Sequence, residues 1–305
     1  MKAIENPKIR PIKPFIQFHS ESLKKSLYAN QALYIMDNMM LSKLRKDAVC
    51  NPFIIQKGFQ LSKVILIPDI ILEEASKNLP DEKAFEKYYY ELFRILSTEH
   101  EIYVVDLEII FELLRDMIGT KEAAFNILKN ISLEAVRTNQ TIRDSIKEID
   151  SHSEAALKTL IGCIIANGKN AGERFITIFS LALLSLYFGP VYIVSEDEKG
   201  IYGPFRTFLN NERLMELINI DHTFDFIQLY QFMSYESLIL SLFHQADLSK
   251  EELFDLIEKS NRDQSRNILY SLNGTSFHTP ISNQKLVEWI SQQIIKIQSV
   301  DEQIR

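Results

Sequence analysis

The sequence predicts an α/β fold: a parallel central sheet of about four strands flanked by helices, with a helical insertion and an all-α C-terminal extension. Three observations predict it. Four short apolar runs, "ALYIM" at 32–36, "VILI" at 64–67, "IYVV" at 102–105 and "VYIV" at 191–194, are rich in β-branched and aromatic residues and do not alternate with polar ones. Strands covered on both faces read this way. Long helical patterns separate the runs, which implies right-handed crossovers and a parallel sheet. Beyond about residue 205 no run of similar quality appears.

Taken in order, residues 1–30 read as an extension with one helix around 21–30. In "DEKAFEKYYYELFRILS" the residues Phe85, Tyr88 or Tyr89, Leu92 and Leu96 share a stripe, and "DLEIIFELLRDMI" has Ile109, Leu113 and Met117 or Ile118 at similar spacing. The stretch 107–170 is helical and longer than one crossover needs, so it reads as an insertion. In "FITIFSLALLSLYFGPVYIV" twenty residues carry no charge. The Gly189–Pro190 pair is a turn signal that divides them into a helix of about 15 residues and a strand. That helix is too short to span a bilayer and too apolar to face water, so it is expected at the centre of the domain. Four later stretches, "YESLILSLFHQ", "SKEELFDLIEKS", "RDQSRNILYSL" and "NQKLVEWISQQIIKIQ", read as amphipathic helices, with Ser249 as an N-cap. The expected organisation is an extension at 1–30, an α/β domain at 31–204 and a helical subdomain at 205–305.

The composition, 46% hydrophobic and 25% charged, is that of an ordinary soluble protein. A formal charge of −7 gives no general attraction to nucleic acid or anionic lipid. A polyanion would have to be held by a local basic surface or by metal ions. Cys50 and Cys163 stand in no zinc pattern and are expected as buried, reduced thiols. The opening "MKAIENPKIRPIKPF" lacks the apolar core of a signal peptide. A cytoplasmic protein without membrane association is expected.

Each strand candidate runs into a carboxylate: Asp37, Asp69 with Glu73 and Glu74 close behind, Asp106, and Glu196 with Asp197. Ligands of open α/β sheets bind beyond the carboxyl ends of the strands. Acids gathered there repel one another, and proton uptake or a divalent cation relieves the field. Glu173 opens the buried helix and belongs at the same rim, where the helix dipole favours an acid. The plain alternative for Asp37, Asp69 and Asp106 is helix capping.

These stretches, "LYIMDNMMLSKLRK", "VILIPDIILEEASKN" and "GERFITIFSLALLSLYFGPVYIVSEDEKG", together resemble the PIN-like domain, the nuclease fold related to flap endonucleases. The likeness spans about residues 31–204 and is interrupted at 107–170. Asp37 followed by Asn38 matches the first strand's acid. Glu74, with Glu73 as rival, matches the acid on the second helix. Gly172–Glu173 matches the step that begins the buried helix, and Ser195–Glu196–Asp197 the end of the last strand. The resemblance implies Mg²⁺ or Mn²⁺ held by Asp37, Glu74, Glu173 and Asp197, and hydrolysis of phosphodiester bonds, usually in RNA, with DNA as the other substrate. Glu73, Asp106, Ser195, Glu196 and Asn38 would support the ligands. The wider roles of such domains are as toxins, defence effectors or RNA-processing enzymes. An inhibitory or regulatory protein partner and oligomerisation stay open.

Lys43, Arg45 and Lys46 in "LSKLRKD" are candidate phosphate contacts, against the plainer reading of a solvated helix face. No His pair has metal-ligand spacing. Ile294, Ile295 and Ile297 form an apolar edge that needs cover. The rival to a nuclease is a catalytically inactive scaffold of the same fold, binding protein or nucleic acid through its helical surfaces. A Mg²⁺-dependent nucleotide site is a third reading, which the lack of a Gly-rich phosphate loop disfavours.

Overall fold

The computed structural model describes residues 3–30, 32–166, 170–197, 200–201, 207–209 and 211–297. Six strands form one sheet: β1 (Ile16–Gln17), β2 (Leu33–Met36), β3 (Val64–Pro68), β4 (Glu101–Val105), β5 (Val191–Val194) and β6 (Tyr230–Met233). Their order is β1-β4-β3-β2-β5-β6, and every neighbouring pair is parallel. The four expected strands are the four central ones. All residues of β2 and β3 are buried, as a strand covered on both faces requires.

The helices alternate with the strands. They are α1 (Ser20–Asn30), α2 (Asn38–Cys50), α3 (Phe53–Gly58), α4 (Asp69–Lys77), α5 (Glu82–Leu96), α6 (Leu107–Ile118), α7 (Lys121–Ala135), α8 (Gln140–Lys147), α9 (Ala156–Ile165) and α10 (Ala171–Ser185). The chain moves one way along the sheet from β2 through β3 to β4, then turns back past β2 to β5. Right-handed crossovers therefore put α2–α5 on one face and α6–α10 on the other. The expected helical insertion is α6–α9. The uncharged helix is α10, with every residue from Phe175 to Ser185 buried. It packs on β2, β3 and β5 and against α6 and α7. Among the described residues no helix is long and apolar enough to cross a membrane.

Three expectations need correction. The sheet has two more strands than the sequence suggested. β1 has only two residues, too few to show a period, and β6 follows a short helix, α12 (Thr223–Leu229), without a break. The C-terminal part is not all-α. It holds α11 (Glu212–Leu217), α13 (Tyr235–Ala246), α14 (Lys250–Lys259) and α15 (Asn283–Ser291), but also an antiparallel sheet β8-β7-β9. Its strands are β7 (Ile268–Leu272), β8 (Thr275–Thr279) and β9 (Ile295–Ile297). The β7–β8 turn is Asn273–Gly274, both at positive φ (49° and 82°), as a two-residue hairpin turn demands. Residues 268–272 therefore form a strand, not the helix read in "RDQSRNILYSL". The terminal helix stops at Ser291, and Ile295 is buried in β9. Finally, Cys50 is exposed at the end of α2 and Cys163 half-buried.

Candidate active site

Strands β2 and β5 lie side by side with Met36 opposite Val194. The next residue of each strand therefore emerges at the same edge. The Asp37 amide donates to Val194 O at 3.2 Å, carrying the ladder one step past the strand. Ser195 Oγ donates to Asp37 Oδ2 at 2.8 Å, and the Asn38 amide donates to Oδ1 at 2.6 Å. Asp37 is thus also the N-cap of α2, and it is buried, with 5% exposure. Beyond this edge β2 leads away toward β3 and β5 toward β6, on the other side. The diverging connections leave a crevice above the β2–β5 pair, the place where open α/β sheets bind ligands.

Three more carboxylates face Asp37. Glu74 lies on α4, and the Gly172 amide at the start of α10 donates to it. Glu173 lies in the first turn of α10 and shares a side-chain hydrogen bond with Asp197. The Asp197 amide donates to Ser195 Oγ at 3.0 Å, so one hydroxyl ties both aspartates to the strand end. Burial pushes the Asp37 carboxyl above its ordinary range, against the hydrogen bonds from Ser195 and Asn38, and the Asp197 charge adds to the rise. Glu74 is pushed up to about 7 by burial and by the charges of Glu173 and Asp37. Glu173 is raised by burial and by Asp37 and Asp197. Each of these like charges raises its neighbour's affinity for a proton.

Backbone without side chains makes this crowding feasible. A Cβ on Gly172 would lie 2.6 Å from Ile71 Cδ1 and 3.2 Å from Glu74 Oε2. One on Gly200 would overlap Asp197 Oδ2 and lie 2.8 Å from Glu173 Cγ. The donor set is entirely oxygen, carries several negative charges and suits a hard divalent cation. Asn38 Oδ1, at the same edge, is buried without a hydrogen-bond partner, an acceptor suited to an ion's water shell. On chemistry the residues fit Mg²⁺ or Mn²⁺. Among the described residues, no three His, Cys, Asp or Glu side chains stand close enough together to hold an ion.

The remaining acids separate from this group. Asp69 is the first residue of α4 and accepts from the Ile70 amide at 2.8 Å, without capping the helix, whereas Asp106 caps α6 through the Ile109 amide at 2.9 Å. Burial, with Asp106 and Glu73 nearby, pushes Asp69 up to about 7. Asp69 and Asp106 line a cavity of about 490 Å³ above β3, β4 and the start of α1. The expected single acidic rim is therefore two groups. Glu73 and Asp106 both act electrostatically on Asp69, and one helical step turns Glu73 to a different direction from Glu74.

Glu196 and Lys43 also differ from expectation. Lys43 Nζ sits 2.7 Å from both Glu196 oxygens, and both residues are buried. Neither a phosphate contact nor a solvated face describes Lys43. Arg45 stacks over the Tyr88 ring at 4.1 Å and donates to Ser42 O, while Lys46 is exposed beside Asn261. Partners of Lys43 and Glu196 that sequence reasoning missed are Arg266, Glu236 and Arg262. Arg266 Nη1 lies 2.7 Å from Glu196 Oε1, and Arg262 Nε lies 3.1 Å from Glu236 Oε1, both of that pair fully buried. No spacing signal marks them, since the two arginines lie in a coil over two hundred residues from Lys43.

The chain matches no family model, no curated protein and no solved structure.

Proposed function

We propose that this chain is a divalent-metal-dependent nuclease of the PIN-like type, with RNA as the expected substrate. The observation that carries the reading is the Asp37–Ser195–Asp197 arrangement at the β2–β5 crevice, with Glu74 and Glu173 electrostatically coupled to it. Four coupled carboxylates destabilise one another in the absence of a cation, and a Mg²⁺ or Mn²⁺ ion removes that repulsion. When bound, such an ion activates a water molecule and stabilises charge on the leaving oxygen.

The chain's own groups would divide the work. Asp37, fixed by Ser195 and Asn38, is the central ligand because its carboxylate cannot rotate away. Asp197 is the second. Glu74 on α4 and Glu173 in the first turn of α10 have longer side chains, and either could close on the ion or orient the attacking water. The side-chain hydrogen bond between Glu173 and Asp197 would open for either residue to hold a cation. An acidic chain needs help to hold RNA, and exposed Lys46 with half-buried Arg45 offers only a small basic surface. Substrate choice would fall to other helical surfaces or to a partner.

The test is cleavage of single-stranded and structured RNA by the purified protein in Mn²⁺, Mg²⁺ or EDTA, beside Asp37→Asn. Metal-dependent cleavage by the wild type and none above background by the variant is expected. Equal products in EDTA, or from Asp37→Asn, would remove the reading. If the wild type neither cleaves nor melts higher with Mn²⁺, the inactive scaffold takes its place.

A further inference from the structure

The buried charges under the crevice belong to two distant parts of the chain. Lys43 comes from α2 and Glu196 from the turn after β5. Glu236 comes from the first turn of α13, and Arg262 and Arg266 from the segment between α14 and β7. Lys43 and Glu196 are each 8% exposed, and Glu236 not at all. Arg266 meets Glu196 twice: Nη2 donates to the main-chain oxygen at 3.1 Å, and Nη1 forms an ion pair with the carboxylate at 2.7 Å without the alignment of a hydrogen bond. It also lies 3.6 Å from Glu236 Oε2, and Lys43 stands 4.8 Å over the Tyr235 ring. Behind Glu236, Arg262 Nη1 donates to Asn283 Oδ1 at 2.9 Å, and Asn283 donates to Glu258 at 3.0 Å. The chain of contacts runs from the strand end to α14 and α15.

Glu196 lies between Ser195 and Asp197, whose side chains face the crevice. Backbone direction alternates along this extended turn, so Glu196 points the other way, into the charge cluster. Anchoring Glu196 fixes where its two neighbours point. A buried ion pair contributes little to stability beside an apolar replacement, and its best-attested use is to specify one arrangement over others. Arg suits the task, because a planar fork can hold a carboxylate and a carbonyl together where Lys cannot.

We propose that Arg266, backed by Glu236 and Arg262, is a positioning residue for the site: it clamps the 195–197 turn so that Ser195 and Asp197 face Asp37. The β7–β9 region is then part of the active centre although it contributes no ligand. The role in metal binding rests on the nuclease reading; the clamp itself does not.

Two measurements separate those claims. The first is hydrogen exchange at the Ser195 and Asp197 amides, without metal, in the wild type, Arg266→Met, Arg266→Lys and Leu253→Ala. Leu253 is a fully buried residue of α14 outside the cluster, and its truncation destabilises the same region. Exchange at both amides at least about tenfold faster in Arg266→Met, less so in Arg266→Lys and unchanged in Leu253→Ala, is expected. Equal acceleration in Leu253→Ala, or none in Arg266→Lys should Arg266→Met not fold, would overturn the clamp. The second is the Mn²⁺ dissociation constant by calorimetry, expected to rise about 10–100-fold in Arg266→Met with little change in Leu253→Ala. Tight Mn²⁺ binding by the wild type that Arg266→Met and Arg266→Lys retain would overturn the link to the site. Absence of Mn²⁺ binding by the wild type would defeat the nuclease reading and with it that link, while the exchange result still decides the clamp.

Discussion

Ser195 Oγ donates to Asp37 Oδ2 at 2.8 Å, across 158 residues of chain and between two adjacent parallel strands. The same hydroxyl accepts the Asp197 amide. It has the valence for both, one proton given and one received. Ser195→Ala is expected to cost about 1–3 kcal/mol, since Asp37 keeps its burial and loses a donor. Chemical denaturation in EDTA measures it, and a change within error would mean that the hydroxyl is not holding Asp37.

Removing the charge at Asp37 should have the opposite sign. The carboxylate is desolvated and faces Asp197. Asp37→Asn keeps one oxygen to accept from the Asn38 amide, Ser195 Oγ must turn to accept from the new NH2 group, and the repulsion is lifted. The substitution is expected to raise apo stability by about 1 kcal/mol while abolishing any Mn²⁺-induced stabilisation. Thermal melts with and without Mn²⁺ read both effects, and a variant still stabilised by Mn²⁺ contradicts the ligand assignment.

Gly200 tests the crowding. An added Cβ would overlap Asp197 Oδ2, so Gly200→Ala must push that carboxylate out of place. Mn²⁺ affinity is expected to fall about 10–100-fold with the fold intact. Unchanged affinity by calorimetry would show that Asp197 is not a ligand.

Both acid groups contribute to the pH dependence, because Glu74 and Asp69 are each pushed up to about 7, and Asp69 can be tested by itself. Asp69 titrates at about 7 in the folded chain against an ordinary 3.8. The folded state therefore binds this proton more tightly than the unfolded one. That stabilising contribution is fully present below about pH 4 and is lost as pH rises through about 7. The apo protein is expected to melt higher at about pH 5.5 than at about pH 8. Asp69→Asn should reduce that difference by raising the melting temperature at the higher pH, leaving the share that Glu74 contributes. An equal slope in the variant would rule Asp69 out as its source.

Lys43→Met leaves Glu196 with Arg266 alone. Losing the Lys43 hydrogen bonds to a buried carboxylate that keeps Arg266 is expected to cost about 1.5–3 kcal/mol. A solvated helix face would lose within about 0.5 kcal/mol, so one urea titration distinguishes them.

Much of this was legible in the sequence because it rests on local chemistry. The four central strands, the Gly189–Pro190 break before β5 and the Ser249 capping box, complete with Glu252, are all short-range patterns. So was the edge at which Asp37 and Asp197 emerge, which follows from parallel strands alone. What failed was of two kinds. Asn273–Gly274 is a hairpin signal, but "NILYSL" also satisfies a helical period, and it is the pairing of β7 with β8 and β9 that decides between them. The division of the acids, and the pairing of Lys43 with Glu196 and Arg266, depend on which of two adjacent residues faces a crevice. Composition and spacing do not encode that choice; packing makes it.

The sheet order carries a consequence for synthesis on the ribosome. Ile16 pairs with Ile102 and Leu33 with Val191, so the first strands made wait for partners that emerge much later. Until Tyr230–Met233 arrives, the apolar strand Val191–Val194 is an open edge able to recruit a neighbouring nascent chain. Parallel pairing at such separations is slow. Despite its many helices, this protein should therefore refold slowly and aggregate when dilution from denaturant is done at high concentration, with shielding by a chaperone improving the yield.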